Sequence, residues 1–327
     1  MNGAAVGSAI KIEGRPDPTR MLWITAAWGA CFIVIDWGLR DAPVLWFATL
    51  RALIAGVALV LVGEVQHRPR PRGERAWLLI VALGASNGTL AFAAMFAGVA
   101  GLATGTAAVL ANAQPLLILL PAWWLYGERV DSRTATGLAV GFVGLLVVAV
   151  PGGGGSGALL SILAAVAITA GTLLSRQLVG VDVVLAAGWH FIIGGGGLAV
   201  LAAVVEGSPR IDWTPRFIAS VLFLALVGTA AAFWAWFTET MRRPLGMLSA
   251  WTFLTPVFGI AFGLLLAGER PEPWTAAGLV LVLASLWAVV VRSPASPDDG
   301  LRSATERGSV ASPDGMPSPW GDGGHRR

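Results

Sequence analysis

The chain has 327 residues, of which 56% are apolar and only 13% are charged, and its mean hydropathy is +0.73. A soluble domain carries about a quarter of its residues charged, so this composition excludes an ordinary soluble globular protein. A sequence pI of about 9.9 does not indicate nucleic-acid binding, because the arginines lie mostly in connectors and in the tail. Since Cys31 is the only cysteine, an intrachain disulfide and a cysteine-ligated metal site are also excluded.

The N-terminal residues 1–20 are polar, and the apolar run that follows them has the length of a full span without a cleavage-site pattern. We interpret this as a cytoplasmic tail followed by a signal anchor. Two later windows contain no charged residue at all, namely residues 76–127 and 134–175. A transmembrane helix needs about 20 apolar residues, so each window holds two helices. Their continuous apolar character excludes the alternating pattern of a membrane β-barrel.

The sequence therefore predicts an all-α integral membrane protein with ten transmembrane helices, separated by Pro-, Gly- and Arg-containing turns. The predicted spans are 21–39, 43–63, 76–97, 102–126, 133–150, 158–175, 183–205, 217–239, 245–267 and 274–291. Residues 293–327 contain many Pro, Gly, Ser and charged residues and little that is apolar. Such a segment cannot bury a core, so we predict a disordered C-terminal tail.

An internal repeat relates the two halves of the chain. At an offset of 141 residues, the segment 75–150 aligns with 216–291 without a gap. Pro115 then matches Pro256, and the Gly-Glu-Arg sequence at 127–129 matches the same sequence at 268–270. We predict one five-helix repeat over 21–150 and a second over 157–292. Internal repeats of whole helix bundles are typical of secondary transporters.

The repeat and the charge distribution together predict an inverted arrangement. With both termini on one side, that side collects 17 of the Lys and Arg residues and the other side four, which predicts cytoplasmic termini in a bacterial inner membrane. Because each repeat has an odd number of helices, the second repeat starts from the opposite side of the bilayer. Inverted repeats can open a central site to either side by exchanging the conformations of the two halves.

Three segments carry a resemblance to a known family. LANAQPLLILLPAWWLYGERVDSRTATGLAVGFVGLLVVAV (110–150) and TFLTPVFGIAFGLLLAGERPEPWTAAGLVLVLASLWAVV (252–290) resemble the end of an EamA domain: a mid-helix proline, Gly-Glu-Arg at the helix exit and a Gly-rich last helix. AAWGACFIVIDWGLRDAPVLWFATLRALIAG (26–56) resembles the first helix pair of that domain. The resemblance covers about 21–292 and implies a ten-helix inner-membrane member of the drug/metabolite transporter superfamily, which moves small metabolites such as amino acids.

Arg51 is the sharpest candidate for substrate binding, because it lies about 12 Å deep in a hydrocarbon core of about 30 Å. An ionisable group at that depth usually faces a cavity or a partner. Arg51 is therefore either the anchor for a carboxylate or phosphate, or a structural partner of Asp36 on the preceding helix. Asp36 could instead pair with Arg40 at i,i+4. It is also a candidate for proton coupling, since it is the only carboxylate well inside a predicted span.

In the second predicted repeat, His190 lies at nearly the same depth in the membrane as Arg51, measured from the opposite side. It is a candidate for substrate binding or proton coupling, and a hydrogen-bonded packing histidine is the alternative. Tryptophans deep in the spans could line the pathway or pack in the core. The remaining candidates are side chains that could hydrogen-bond a solute and prolines that expose backbone carbonyls. The complete predicted pathway comprises Arg51, Asn87, Asn112, Gln114, His190, Trp234, Trp251 and Thr255, with helix breaks at Pro115 and Pro256.

We therefore expect a secondary transporter of a small metabolite, such as an amino acid or a related compound, with export favoured over import. An intramembrane lipid-modifying enzyme and a structural membrane protein are the alternatives that stay open. The sequence shows no catalytic constellation, metal-ligand spacing or nucleotide-binding turn, so we predict no catalytic residue, metal or cofactor. The expected partners are a small-molecule substrate and the lipid bilayer, without nucleic acid, and the oligomeric state is left open.

Overall fold

The protein is described from a computed structural model, which covers residues 16–102, 104–118, 121, 124–125, 132–149, 156–268 and 273–290. The regular secondary structure in these ranges is entirely helical. The Gly-Glu-Arg sequence at 127–129, its counterpart from 269 onward, most of the N-terminal tail and the C-terminal tail 293–327 lie outside the described residues.

Twelve helical segments make up the described part of the chain. The first half contains α1 (Pro18–Gly38), α2 (Val44–Val65), α3 (Glu74–Ala100), α4 (Thr104–Ala111), α5 (Gln114–Leu117) and α6 (Ser132–Ala149). The second half contains α7 (Ser156–Arg176), α8 (Val183–Val205), α9 (Pro215–Thr240), α10 (Leu245–Trp251), α11 (Leu254–Ala267) and α12 (Pro273–Val290). Seven stretches within these ranges, of 21 to 27 residues each, are long and apolar enough to cross a membrane. The protein is thus a multi-pass helical membrane protein.

Short polar residues fix where several of these helices begin. Asp17 accepts a 3.0 Å hydrogen bond from the backbone N–H of Thr19, and Thr214 accepts one of 3.1 Å from that of Phe217. Such N-caps satisfy N–H groups that have no partner within the helix. At the end of α11, Gly268 has a φ of +66°, a left-handed conformation that glycine adopts without strain and that closes the helix.

Both long helices α3 and α9 contain a π-helical segment in their middle, over Gly84–Leu90 and Phe223–Ala231 respectively. The repeat offset of 141 residues maps 84–90 onto 225–231, so the two segments occupy equivalent places in the two halves. A π-helical turn widens the helix and is frequent at functional sites. Nothing in the apolar periodicity of the sequence predicts these segments.

The two halves of the chain interlock through equivalent helices. Among the described residues, extensive pairings join α2 to α8 and α6 to α12, which are equivalent helices of the two halves, and α3 to α7. In addition, α8 packs against the π segment of α3, and α2 packs against the π segment of α9. The close approach of α8 to α3 depends on glycine, since a Cβ added to Gly194 would lie 2.6 Å from the carbonyl oxygen of Gly84. Small residues allow helix backbones to approach in this way within membranes.

An Asp–Arg pair closes each end of the bundle. At one end, Asp41 in the α1–α2 connection binds Arg216 at the start of α9 through two hydrogen bonds of 2.9 and 2.6 Å. At the other end, Asp182 binds Arg68 at 3.0 Å and also caps α8. Asp41 and Asp182 are separated by the repeat offset of 141 residues. The end that holds Asp182 also contains Glu239, which pairs with Arg20 and Arg243.

Candidate functional site

A partly open cavity with mostly buried lining residues lies among helices from both halves of the chain. It offers about 60 Å³ of space to the centre of a water-sized sphere, room for a few waters or for part of a small solute. The residues that line it are Trp28, Cys31, Phe32, Arg51, Asn87, Phe92, Met95, Ala111, Asn112, Gln114, Ile168, Thr172, Phe233, Trp236 and Thr255. They come from α1, α2, α3, α7, α9, α11 and the region of α4 and α5. The cavity is therefore built by both halves together.

Arg51 supplies the only formal charge among these described lining residues. Its side chain is 2% exposed. The guanidinium Nε donates a 2.7 Å hydrogen bond to the hydroxyl of Thr229, and Nη2 donates a 3.4 Å bond to the carbonyl of Gly228. Both partners lie in the π segment of α9. The second half of the chain thus positions the charged residue of the first half.

The surroundings of Arg51 are aromatic rather than acidic. Its Cζ atom lies 4.4 Å from the centre of the Phe92 ring and 5.7 Å from that of Phe96. Ring faces attract a cation, and this attraction partly replaces the hydration that burial removes. Within the described part of the chain, Arg51 forms no ion pair, and Asp36 is not its partner. A buried positive charge without a carboxylate is costly, so it favours a negatively charged guest.

Four lining residues have a buried polar atom that no described residue hydrogen-bonds: Arg51 (Nη1), Trp28 (Nε1), Asn87 (Oδ1) and Thr255 (Oγ1). Leaving such an atom unpaired costs about 1–3 kcal/mol, more for a charged group. Most buried polar groups in proteins are paired, so four exceptions around one cavity require a reason. A polar solute or water in the cavity would satisfy them.

The predicted amides lie at the cavity, close to the place where two helical segments meet. Asn112 follows the end of α4 and donates a 2.7 Å hydrogen bond to the carbonyl of Ala108. Gln114 begins α5 and donates a 3.0 Å bond to the hydroxyl of Thr172. The interruption between α4 and α5 directly precedes Pro115. That between α10 and α11 precedes Pro256 in the same way. In both cases the proline lies in the first turn of a new helix, where its missing N–H is not needed.

An aromatic wall faces these polar groups. The ring of Trp28 lies 5.5 Å from that of Phe233 and 5.2 Å from that of Trp236, measured between centroids. The predicted pathway does not contain these three residues. Trp236 is two positions from Trp234, and residues two apart point to different sides of a helix. The helical period of 3.6 residues therefore predicts that Trp234 and Trp236 lie on different sides of α9. Only the positions of the neighbouring helices show which of these sides lines the cavity.

Five of the predicted site residues meet at the cavity, and the others lie elsewhere. Those at the cavity are Arg51, Asn87, Asn112, Gln114 and Thr255. Trp234 is beside Arg68, whose Cζ lies 5.5 Å from its ring centroid, and Trp251 is buried on α10 outside the lining set. Asp36 and Arg40 are 3.3 Å apart, with side chains 43% and 61% exposed.

His190 lies on α8, which contributes no residue to the described lining of the cavity. Its Nδ1 is 3.3 Å from the carbonyl oxygen of Ala186, one turn earlier in the same helix. Its ring is fully buried among aromatic rings, at centroid distances of 5.6 Å from Phe237 and 6.5 Å from Phe233. Nε2 has no hydrogen-bond partner in the described structure. These contacts place His190 in a packed aromatic cluster next to the cavity wall.

Cys31 is a lining residue that the sequence patterns did not indicate. Its sulfur lies 3.7 Å from Nη2 of Arg51 and accepts from that group, while it also contacts the carbonyl of Ala27 at 3.2 Å. Gly228 leaves room for it, since a Cβ there would lie 2.4 Å from the sulfur. Only the packing of α1 against α9 brings these residues together.

A multi-pass bundle whose two halves share a small, charged cavity is the architecture of membrane transporters. The sequence comparison agrees with this class. The chain belongs to the EamA-like transporter family, whose model matches residues 21–150 and again residues 155–291. Members of this family are transporters and not enzymes.

Relatives extend this assignment over most of the chain. An uncharacterised transporter of Synechocystis is 27% identical over 80% of this chain and 86% of its own length. A probable amino-acid metabolite efflux pump of Salmonella typhimurium is 27% identical over 84% of this chain and 94% of its own length. A protein of known crystal structure, 18% identical, superposes with a TM-score of 0.71 over 84% of this chain and 96% of that protein, which shows a common fold.

Proposed function

We propose that this protein is an inner-membrane secondary transporter that exports a small carboxylate-bearing metabolite, an amino acid or a related compound. The observation that carries the proposal is the buried guanidinium of Arg51. It lines a cavity shared by both halves, has no carboxylate partner among the described residues and keeps Nη1 unpaired. A carboxylate would accept hydrogen bonds from this guanidinium and neutralise its charge.

Alternating access of two inverted five-helix repeats is the proposed mechanism. Three features support it: the π segments occupy equivalent places, each π segment packs against the second helix of the other half, and an Asp–Arg pair closes each end. If the two halves exchange conformations, the Asp–Arg pair at one end of the bundle opens while the pair at the other end stays closed. The solute in the central cavity would then face one side of the membrane at a time.

The names of two relatives favour export over import. Two bacterial relatives bear the name of probable amino-acid metabolite efflux pumps, from Salmonella typhimurium and Escherichia coli. The excess of Arg on one side predicts cytoplasmic termini, so the end that holds Asp182 and Glu239 would face the cytoplasm. The proposal assigns no proton transfer to Asp36 or His190, because neither lines the cavity.

A purely structural role fits the cavity less well. A bundle that only has to pack would gain stability by pairing its buried polar atoms or by replacing them with apolar groups. Among the described residues, one nitrogen of the charged Arg51 side chain and three neutral polar atoms lack a hydrogen-bond partner around one space. Such groups are retained where function requires them.

The test is transport by purified protein in liposomes loaded with radiolabelled amino acids and 2-hydroxy acids. We expect Arg51→Ala to reduce efflux at least about tenfold, since one charge-assisted pair is worth roughly 1.5–3 kcal/mol. Arg51→Lys should retain part of the flux, and Arg210→Ala, at an exposed arginine, should retain all of it. Wild-type flux in Arg51→Ala, with correct insertion, would refute the proposed role.

A further inference from the structure

We infer that the preferred substrate carries one net negative charge, so that an organic monoanion is bound in preference to a zwitterion of the same shape. The inference rests on the proposed transport function and specifies the substrate class of the same cavity. The proposed function allows two classes of carboxylate, namely amino acids and the corresponding acids without an ammonium group. The inference distinguishes between these two classes.

The charge balance of the cavity is the first observation. Its described lining contains Arg51 and no Asp or Glu. Described carboxylates in or beside the spans are paired with arginines outside the lining set: Asp36 with Arg40, Asp41 with Arg216, Glu64 with Arg70, Asp182 with Arg68 and Glu239 with Arg20. A monocarboxylate leaves the occupied site electrically neutral. A zwitterion would leave one uncompensated positive charge where little water screens it.

The balance of donors and acceptors is the second observation. Of the four unpaired atoms, those of Arg51 and Trp28 can only donate, Thr255 can donate or accept, and Oδ1 of Asn87 can only accept. A carboxylate accepts from the donors, and a single hydroxyl proton on the same solute can satisfy Asn87. An ammonium brings three N–H donors to a set with at most two acceptors. The cavity thus matches a 2-hydroxy acid better than the corresponding amino acid.

The aromatic wall does not reverse this preference. Rings such as those of Trp28, Phe233 and Trp236 can attract an ammonium. The ring closest to a cation here, Phe92, is already occupied by the guanidinium of Arg51 at 4.4 Å. An ammonium in the same small cavity would also be repelled by that guanidinium. The remaining rings therefore form an apolar surface for the carbon skeleton of the solute.

Neutralisation of the substrate's negative charge by Arg51 determines which steps of the transport cycle respond to the membrane potential. A carrier loaded with a monoanion changes conformation without net charge at the site, whereas the empty carrier returns with the positive charge of Arg51. Because the membrane potential acts only on steps that move charge, it should act on the return of the empty carrier. An interior-negative potential would then drive net efflux of the anion but leave one-for-one exchange unaffected.

The binding experiment uses matched pairs that differ in a hydroxyl or an ammonium at the same carbon: glycolate and glycine, lactate and alanine, and 2-hydroxy-3-methylbutanoate and valine. Purified full-length protein is titrated with each compound at neutral pH, and binding is measured by calorimetry. We expect the hydroxy acid of the tightest-binding pair to bind at least about tenfold more strongly than its amino acid. Arg51→Gln should abolish this ratio, and Arg210→Ala should preserve it.

The transport experiment uses the same hydroxy acid in liposomes whose potential is set with potassium and valinomycin. Net efflux should rise with an interior-negative potential, and exchange of labelled for unlabelled solute should not change. The inference would be overturned if the amino acid bound as strongly as the hydroxy acid or more strongly. It would also be overturned if exchange and net efflux depended equally on voltage. Neither result would contradict the proposed transport of carboxylates. If no member of any pair binds to or is moved by the wild type, the proposed function fails and the inference fails with it.

Discussion

The Nε atom of Arg51 donates a 2.7 Å hydrogen bond to the hydroxyl of Thr229, and this bond connects the two halves of the chain at the cavity. Arg51 belongs to α2 in the first half, and Thr229 lies in the π segment of α9 in the second half. A movement of one repeat relative to the other would therefore change the position of the guanidinium directly. The residue proposed to hold the substrate is thus also a contact between the parts proposed to move.

Thr229→Val tests this connection with an almost isosteric change. It removes the acceptor of Arg51 Nε and leaves a buried charged donor unpaired, at a cost of about 1–3 kcal/mol. We expect a lower melting temperature in detergent and a severalfold loss of flux. Thr238→Val on the same helix is the matched control, because Thr238 bonds only the carbonyl of Trp234 one turn away. Equal effects of the two substitutions would show that the Arg51 contact has no special role.

Gly194→Ala and Gly196→Ala test the close contact between α8 and α3 within one run of glycines. A Cβ at Gly194 would lie 2.6 Å from both the Gly84 oxygen and the Cα of Gly88, whereas a Cβ at Gly196 would meet nothing within 4 Å. We expect Gly194→Ala to destabilise the protein by about 1–3 kcal/mol. Gly196→Ala should be neutral or stabilise by up to about 1 kcal/mol, since alanine is the better helix former. Thermal melting in one detergent measures both, and a harmless Gly194→Ala would mean that the helices are farther apart.

The Asp41–Arg216 pair gives a prediction for pH. The hydrogen bonds from Arg216 hold the pKa of the Asp41 carboxyl below its ordinary value. A carboxyl with a lowered folded-state pKa contributes stability that is complete above its unfolded pKa of about 3.9 and is lost as the pH falls through the folded value. Asp41→Asn should therefore melt below the wild type at neutral pH. The difference should persist to about pH 5 and shrink below about pH 4.

The matched control for this titration is Asp36→Asn. Asp36 pairs with Arg40 on the surface at 3.3 Å, and such exposed pairs contribute little, about 0–1 kcal/mol. Its melting curve should follow that of the wild type at every pH. A pH-independent gap between Asp41→Asn and the wild type would show that the charge of Asp41 is not what stabilises this end of the bundle.

Cysteine labelling tests whether the cavity opens to both sides. Cys31 is the only cysteine, so Cys31→Ser provides a background for single cysteines at Asn112 or Thr255. Alternating access predicts that a membrane-impermeant thiol reagent reaches both positions from either side, and that a bound substrate protects them. Ala186→Cys, fully buried on α8 away from the cavity, should stay unlabelled. A bundle that stays sealed would leave Asn112→Cys and Thr255→Cys unlabelled as well.

Local patterns in the sequence predict the helices and several polar residues of the site. Every described helix end that corresponds to a predicted span lies within three residues of its predicted position, because apolar runs and turn residues are local signals. Arg51, Asn87, Asn112, Gln114 and Thr255 could be singled out because polar groups are rare in long apolar runs. They are costly in lipid and therefore have to face a protected space.

Which other residues contact these polar groups depends on how the helices pack. Thr229, Cys31 and Trp28 come to the cavity because the helices of the two halves interlock, and no local pattern records which faces of distant helices meet. The same packing places Trp236 at the cavity and leaves Trp234 and His190 outside its lining. The π segments also depend on this packing. In a long uncharged run without amphipathic periodicity, an extra residue in one turn leaves no signal in the sequence pattern but rotates every side chain after it.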